Sequence, residues 1–65
     1  MTDTYALEDA INRAGKTKKE VAQHLGLSEQ GFLLKLNNKS EFKPSEILKL
    51  CKLLCLKDNS IFFAE

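Results

Sequence analysis

Two helix starts crowd around Gly26 within residues 17–37, and no other feature of the chain restricts its fold so sharply. Thr17-Lys18-Lys19-Glu20 has the form of a capping box, in which the threonine hydroxyl takes the amide three residues on and the glutamate reaches back. Val21, Ala22 and Leu25 give the helix that follows an apolar stripe, and Gly26 ends it after barely two turns. Leu27 leads straight to Ser28, a strong N-cap, so another helix begins almost at once. Two short helices joined by so tight a turn must cross at a steep angle. A small Ala22 lets the second helix approach, Gly26 supplies the turn's backbone, and Phe32 plugs the angle between the helices.

The chain around this segment has room for one domain only. At 65 residues it buries about 60% of the surface that its unfolded form exposes, which makes a deep pocket improbable. Hydrophobic residues at 43% and charged residues at 29% match a globular protein, not a disordered tail. No apolar run approaches the roughly 20 residues of a membrane helix, and the N-terminus lacks the layout of a secretion signal, so the expected location is cytoplasmic. Cys51 and Cys55, with His24, offer too few ligands for zinc and poor geometry for a bridge, so both are expected as reduced thiols with no metal and no cofactor. Dense helix packing must then hold the domain together.

The remaining signals fill in the packing. Met1 to Thr4 read as a frayed start, with Asp3 or Thr4 able to cap a first helix whose face is Leu7, Ala10, Ile11 and Ala14 and whose end is Gly15. The three glycines and the proline hint at helix ends. The third helix runs from Glu29 to about Asn37 with Phe32 and Leu36 inward, followed by the polar break Asn37-Asn38-Lys39-Ser40, whose asparagines tolerate left-handed backbone angles. Phe42 is expected to anchor that loop. Pro44 suits the first position of a fourth helix, with Glu46 in its first turn. Ile47, Leu50, Cys51 and Leu54 line one face of it, while Leu48, Leu53 and Cys55 widen the apolar surface beyond what one small core needs. Asp58 or Ser60 is placed to cap a last turn carrying Ile61, Phe62 and Phe63.

With Gly26-Leu27-Ser28-Glu29 and Lys35-Leu36-Asn37-Asn38-Lys39 in this order, the chain resembles the lambda repressor and Cro-type helix-turn-helix family, and more closely small phage-encoded regulators. The resemblance spans residues 7–56. It implies an all-α fold, a compact four- to five-helix lambda repressor-like DNA-binding domain over residues 1–65, with the helix-turn-helix at 17–37. By the same resemblance the helix over residues 29–37 is the recognition helix in the DNA major groove, with Glu29, Gln30, Leu33 and Leu34 at base-reading positions. Spacing adds Asn37, since Gln30, Leu34 and Asn37 project opposite Phe32 and Leu36. Gln30 is the best reader, because its amide can pair with adenine through two hydrogen bonds.

Lys18, Lys19, Lys39 and Lys43 match phosphate-holding positions of that family, together with Ser28 and the amides around Asn38. Charge distribution points the same way. The whole chain is only +1, but residues 16–43 carry Lys16, Lys18, Lys19, Lys35, Lys39 and Lys43 against Glu20, Glu29 and Glu41. The positive charge is concentrated where DNA would lie.

The recognition face departs from the family in two ways. Leu33 and Leu34 stand where polar readers are usual, and Lys35 where a core aliphatic is common. The leucines have three readings: contact with thymine methyls, a patch for a protein partner, or rotation of Leu33 into the core. Glu29 sits awkwardly beside phosphate but favourably in a first helical turn. His24 falls off its helix's apolar stripe and reads as an exposed residue.

The expected function is a sequence-specific transcriptional regulator, a phage-type or prophage repressor or Cro-like protein. It would hold double-stranded operator DNA as a dimer formed through the fourth helix with Phe62 and Phe63, in the bacterial nucleoid. The alternative is the same scaffold used as a protein-interaction module through Leu33 and Leu34. An enzyme is not expected, for no nucleophile, base and orienting group fall at useful spacing.

Overall fold

Four α-helices and one short 3₁₀ helix make up the computed structural model, which describes residues 1–64: α1 Thr4–Arg13, α2 Lys18–His24, α3 Glu29–Leu36, α4 Pro44–Leu53 and the 3₁₀ helix Ser60–Phe63. No strand occurs among the described residues, and the fold is all-α. No described helix is long and apolar enough to cross a membrane.

Each α-helix start is fixed locally. Asp3, not Thr4, caps α1 by accepting the Ala6 amide at 3.1 Å. The capping box at α2 is complete, with the Glu20 amide donating to the Thr17 hydroxyl at 3.1 Å and the Thr17 amide to the Glu20 carboxylate at 3.0 Å. Ser28 Oγ accepts the Gly31 amide at 3.0 Å. In α4, Pro44 occupies the first turn and the Glu46 carboxylate accepts the Lys43 amide at 2.8 Å.

The four ends share one device. In each, an amide just past the helix donates to a carbonyl five residues back: Lys16 to Ile11, Leu27 to Ala22, Lys39 to Leu34 and Leu56 to Cys51, at 2.8 to 3.2 Å. Closing that ring needs a left-handed residue just before the donor. Gly15 and Gly26 supply it as the sequence suggests, Asn38 does so at φ +63°, and Cys55 does so at φ +55° without any signal in the chain. Gly31 differs from the expectation that glycines mark helix ends, for it lies inside α3.

The core draws on every element. Leu7 and Ile11 of α1, Val21 and Ala22 of α2, Phe32 and Leu36 of α3 and Leu50 of α4 are buried, closed by Leu25, Leu54, Phe42 and Phe62. Phe42 anchors its loop as expected, tilted against Phe32 at 5.9 Å between ring centroids and edge-on to Phe62 at 5.5 Å. His24 is exposed, also as expected.

Three further expectations fail. Ala14 is exposed, because α1 ends at Arg13 and the turn at Gly15 carries the chain off the core face. The N-terminus is not frayed: Thr2 is buried, its amide donating to Asn38 Oδ1 at 2.8 Å and its carbonyl accepting from Asn38 Nδ2 at 2.9 Å. The Asp3 amide donates to the Ile61 carbonyl at 2.7 Å and the Thr4 hydroxyl to the Leu36 carbonyl at 2.7 Å, which ties the first residues to α3 and the 3₁₀ helix. Finally, Phe62 and Phe63 part company. Phe62 is a core residue and is unavailable to a dimer, whereas Phe63 is 61% exposed.

Candidate nucleic-acid interface

The α2–α3 turn presents α3 with Phe32 and Leu36 fully inward, which decides what faces out. Glu29, Gln30, Leu34 and Asn37 are exposed. Leu33 is not equivalent to Leu34: it is half-buried against the core, while Leu34 is 47% exposed. Of the three readings of this pair, rotation into the core holds for Leu33, and the two leucines do not form one exposed patch. Asn37 Nδ2 donates to the Leu33 carbonyl at 3.0 Å, so the side chain lies back along its own helix with its oxygen left as an acceptor. The outward row is therefore Gln30, Leu34 and Asn37, with Glu29 beside it at the helix start.

Gly31 belongs to this helix too. A Cβ placed there would meet only the Ser28 hydroxyl, at 3.0 Å, so no packing against another element explains the glycine. Ser28 is exposed, and its oxygen is engaged as the cap of α3 while its hydroxyl proton stays free to donate.

The lysines divide into paired and free. Lys18 donates to the Glu8 carboxylate of α1 at 2.7 Å in a half-exposed pair. Lys35 donates to Glu46 Oε1 at 2.6 Å, and both side chains are about nine-tenths buried. Lys19, Lys39 and Lys43 are exposed and have no ion-pair partner among the described residues. Pairing of Lys18 and Lys35 with carboxylates outside the segment leaves Lys16, Lys19, Lys39 and Lys43 against Glu20, Glu29 and Glu41. The positive excess is thus smaller than the sequence count.

The Lys35–Glu46 pair explains the lysine that stood at an aliphatic position. Its ammonium reaches from α3 to the first turn of α4, where the same carboxylate oxygen also holds the Lys43 amide. Burial alone would raise the Glu46 pKa, but hydrogen bonds from Lys35 and the Lys43 amide, with both lysine charges, outweigh it and hold the pKa below its ordinary value. Sequence reasoning missed this link because its partners are on different helices. The only local trace was a lysine inside an apolar row.

Asn38 requires a correction as a phosphate contact. Both ends of its side chain bind the Thr2 backbone, and its own amide donates to the Lys35 carbonyl at 3.2 Å. The Lys39 amide is likewise consumed, by the Leu34 carbonyl. The loop thus offers the side chains of Lys39 and Lys43 but not the amides around Asn38. A fixed loop is what the Thr2–Asn38 clamp provides instead.

Cys51 is half-buried and Cys55 exposed, both as free thiols. Burial, with the nearby Asp58 charge, pushes the Cys51 thiol up. Among the described residues no group of His, Cys, Asp and Glu could hold a metal ion.

The sequence matches the family described as "Protein of unknown function (DUF739)" over residues 3–65. The chain belongs to that family. No curated protein and no solved structure matches it. The matched stretch includes α1 to α4 and the Asp3 link to Ile61, so the family extends well beyond the α2–α3 segment.

Proposed function

We propose that this chain is a sequence-specific DNA-binding transcriptional regulator of the phage repressor or Cro-like kind, a lambda repressor-like helix-turn-helix domain with α3 in the major groove. The observation that supports this best is the outward row of α3, where Gln30, Leu34 and Asn37 project from a short helix held by a tight glycine turn. Gln30 reads a base edge, Leu34 meets a thymine methyl, and the free oxygen of Asn37 accepts from an amino group. Glu29 stabilises the start of α3 and is placed to accept from cytosine. Lys19, Lys39 and Lys43 hold phosphates, with the Ser28 hydroxyl beside them. Lys18 joins them by exchanging Glu8 for a phosphate, since a half-exposed pair contributes only about 0 to 1 kcal/mol.

The regulator acts as a dimer in the cytoplasm, one α3 per half-site, with half-sites about one DNA turn apart. Since Phe62 is buried, the contact falls to Leu48, 57% exposed on α4, and Phe63. The protein-interaction reading rests now on Leu34 alone, because Leu33 packs inward.

Selection of bound sequences from a random duplex pool tests the proposal, followed by anisotropy titrations in rising salt. A two-fold-symmetric motif is expected, with binding that weakens steeply as salt rises. Gln30→Ala should lose discrimination at one base pair, by about 1 to 3 kcal/mol. Lys39→Ala should weaken all sequences alike. Absence of DNA affinity even at low salt would overturn the reading.

A further inference from the structure

The surplus apolar surface of α4 divides into two separate places. Leu48 faces one side beside Phe63. Leu53 faces another, where it floors an open groove of about 760 Å³ between α1 and the segment after α4. Leu53, Leu56 and Ile61, each half-buried, give the groove its apolar floor, with Ala10 of α1 also lining it. None of its residues belongs to α3.

The rim is cationic. Arg13, Lys16 and Lys57 line it, with Asp9 the one carboxylate among the lining residues. Asp9 is already paired with Arg13 at 2.9 Å, and Lys16 and Lys57 have no ion-pair partner among the described residues. Two further carboxylates lie close by and keep their charge without lining the groove: Glu20, which lines a shallow pocket shared with Lys16 and Leu53 and accepts the Thr17 amide, and Asp58, which adjoins Lys57 and accepts the Ser60 amide.

We propose that this groove docks an amphipathic helix of a partner protein whose apolar face is flanked by carboxylates. The apolar floor takes leucine-sized side chains at helical spacing, and Lys16 and Lys57 meet the flanking charges. A nucleic-acid backbone matches the rim but leaves the floor uncovered. A second copy of this chain does not match either, because its exposed large apolar residues on α-helices, Tyr5, Leu34 and Leu48, stand singly on α1, α3 and α4 and form no exposed stripe. Since α3 contributes nothing to the groove, docking there does not depend on the DNA-binding reading.

The test is a displayed library of amphipathic helical peptides, with leucine fixed along one face and the flanking positions free among Glu, Lys, Gln and Ala, selected against the full chain. Glutamate should enrich at the flanks. A synthetic peptide of the enriched sequence should shift the amide resonances of Ala10, Leu53 and Ile61 and protect Cys55, which lines the groove, from alkylation. Lys16→Glu with Lys57→Glu should weaken it about tenfold or more, and Lys16→Gln with Lys57→Gln by less, with unchanged circular dichroism in both. Failure to enrich any sequence, enrichment of lysine or uncharged flanks, or unchanged affinity in both variants overturns the proposal. So do peptide shifts at Leu48 and Phe63 instead, or shifts of the groove amides caused by duplex DNA or by raising the protein's own concentration.

Discussion

At the scale of single residues, the left-handed positions give the clearest predictions. Cys55 holds φ +55° at the end of α4, where a side chain with a Cβ costs roughly 1 to 2 kcal/mol. Glycine avoids that strain, at the expense of greater freedom in the unfolded chain. Cys55→Gly is therefore expected to stabilise the protein by about 1 kcal/mol net, raising the melting temperature by several degrees. Gly26→Ala should do the reverse by about the same amount, and through backbone strain alone, since an added Cβ meets nothing within 4 Å. Thermal melts of the two variants check both signs. The adjacent phenylalanines give a third comparison. Phe62→Ala should lose about 3 to 5 kcal/mol in urea denaturation, and Phe63→Ser should stay within about 0.5 kcal/mol of the parent. Their neighbouring positions concealed that difference, because only the fold puts one ring edge-on to Phe42 and leaves the other outside.

Between elements, the Lys35–Glu46 pair and the Thr2–Asn38 clamp carry the positions of α3 and its loop. Lys35→Met leaves a nearly buried carboxylate without its cation, and a loss of about 2 kcal/mol is expected. Adding Glu46→Leu should recover much of it, because an apolar pair at such a site is often as stable as the ionic one. A double-mutant cycle by urea denaturation measures the coupling. The pair also predicts a pH effect. Glu46 has a folded-state pKa below its ordinary 4.5, so its contribution is fully present above that value and lost as pH falls through the lower folded pKa. Acid titration of the parent and of Lys35→Met/Glu46→Leu should show the extra loss in the parent alone.

The helix boundaries themselves were largely legible beforehand. Capping boxes, serine caps and glycine stops are local chemistry, written within four or five residues of one another. The clamp and the pair were not, because Thr2 and Asn38, or Lys35 and Glu46, meet only once the helices have packed.

Across the whole molecule, charge and apolar surface are distributed differently from their sequence counts. One of the six lysines in residues 16–43, Lys35, is held in a nearly buried internal pair, so the salt dependence of DNA binding should reflect fewer phosphate contacts than that count implies. Each phosphate contact contributes roughly one unit to the slope of log affinity against log salt. Lys19→Ala, Lys39→Ala and Lys43→Ala should each reduce that slope by about 1, and Lys35→Met should leave it unchanged. Anisotropy titrations across a salt series decide between these outcomes.

By itself the sequence determined an all-α chain, the starts of its four helices, most of their ends and the inward placement of Phe32, Leu36 and Phe42, because each of these depends on neighbours along the chain or on helical period. Tertiary structure alone decided that Leu33 turns in while Leu34 turns out, that Phe62 joins the core and Phe63 does not, and that Asn38 holds Thr2. Those choices depend on which face of one helix meets another, and burial and hydrogen bonding across the chain set that face after the local signals have done their part.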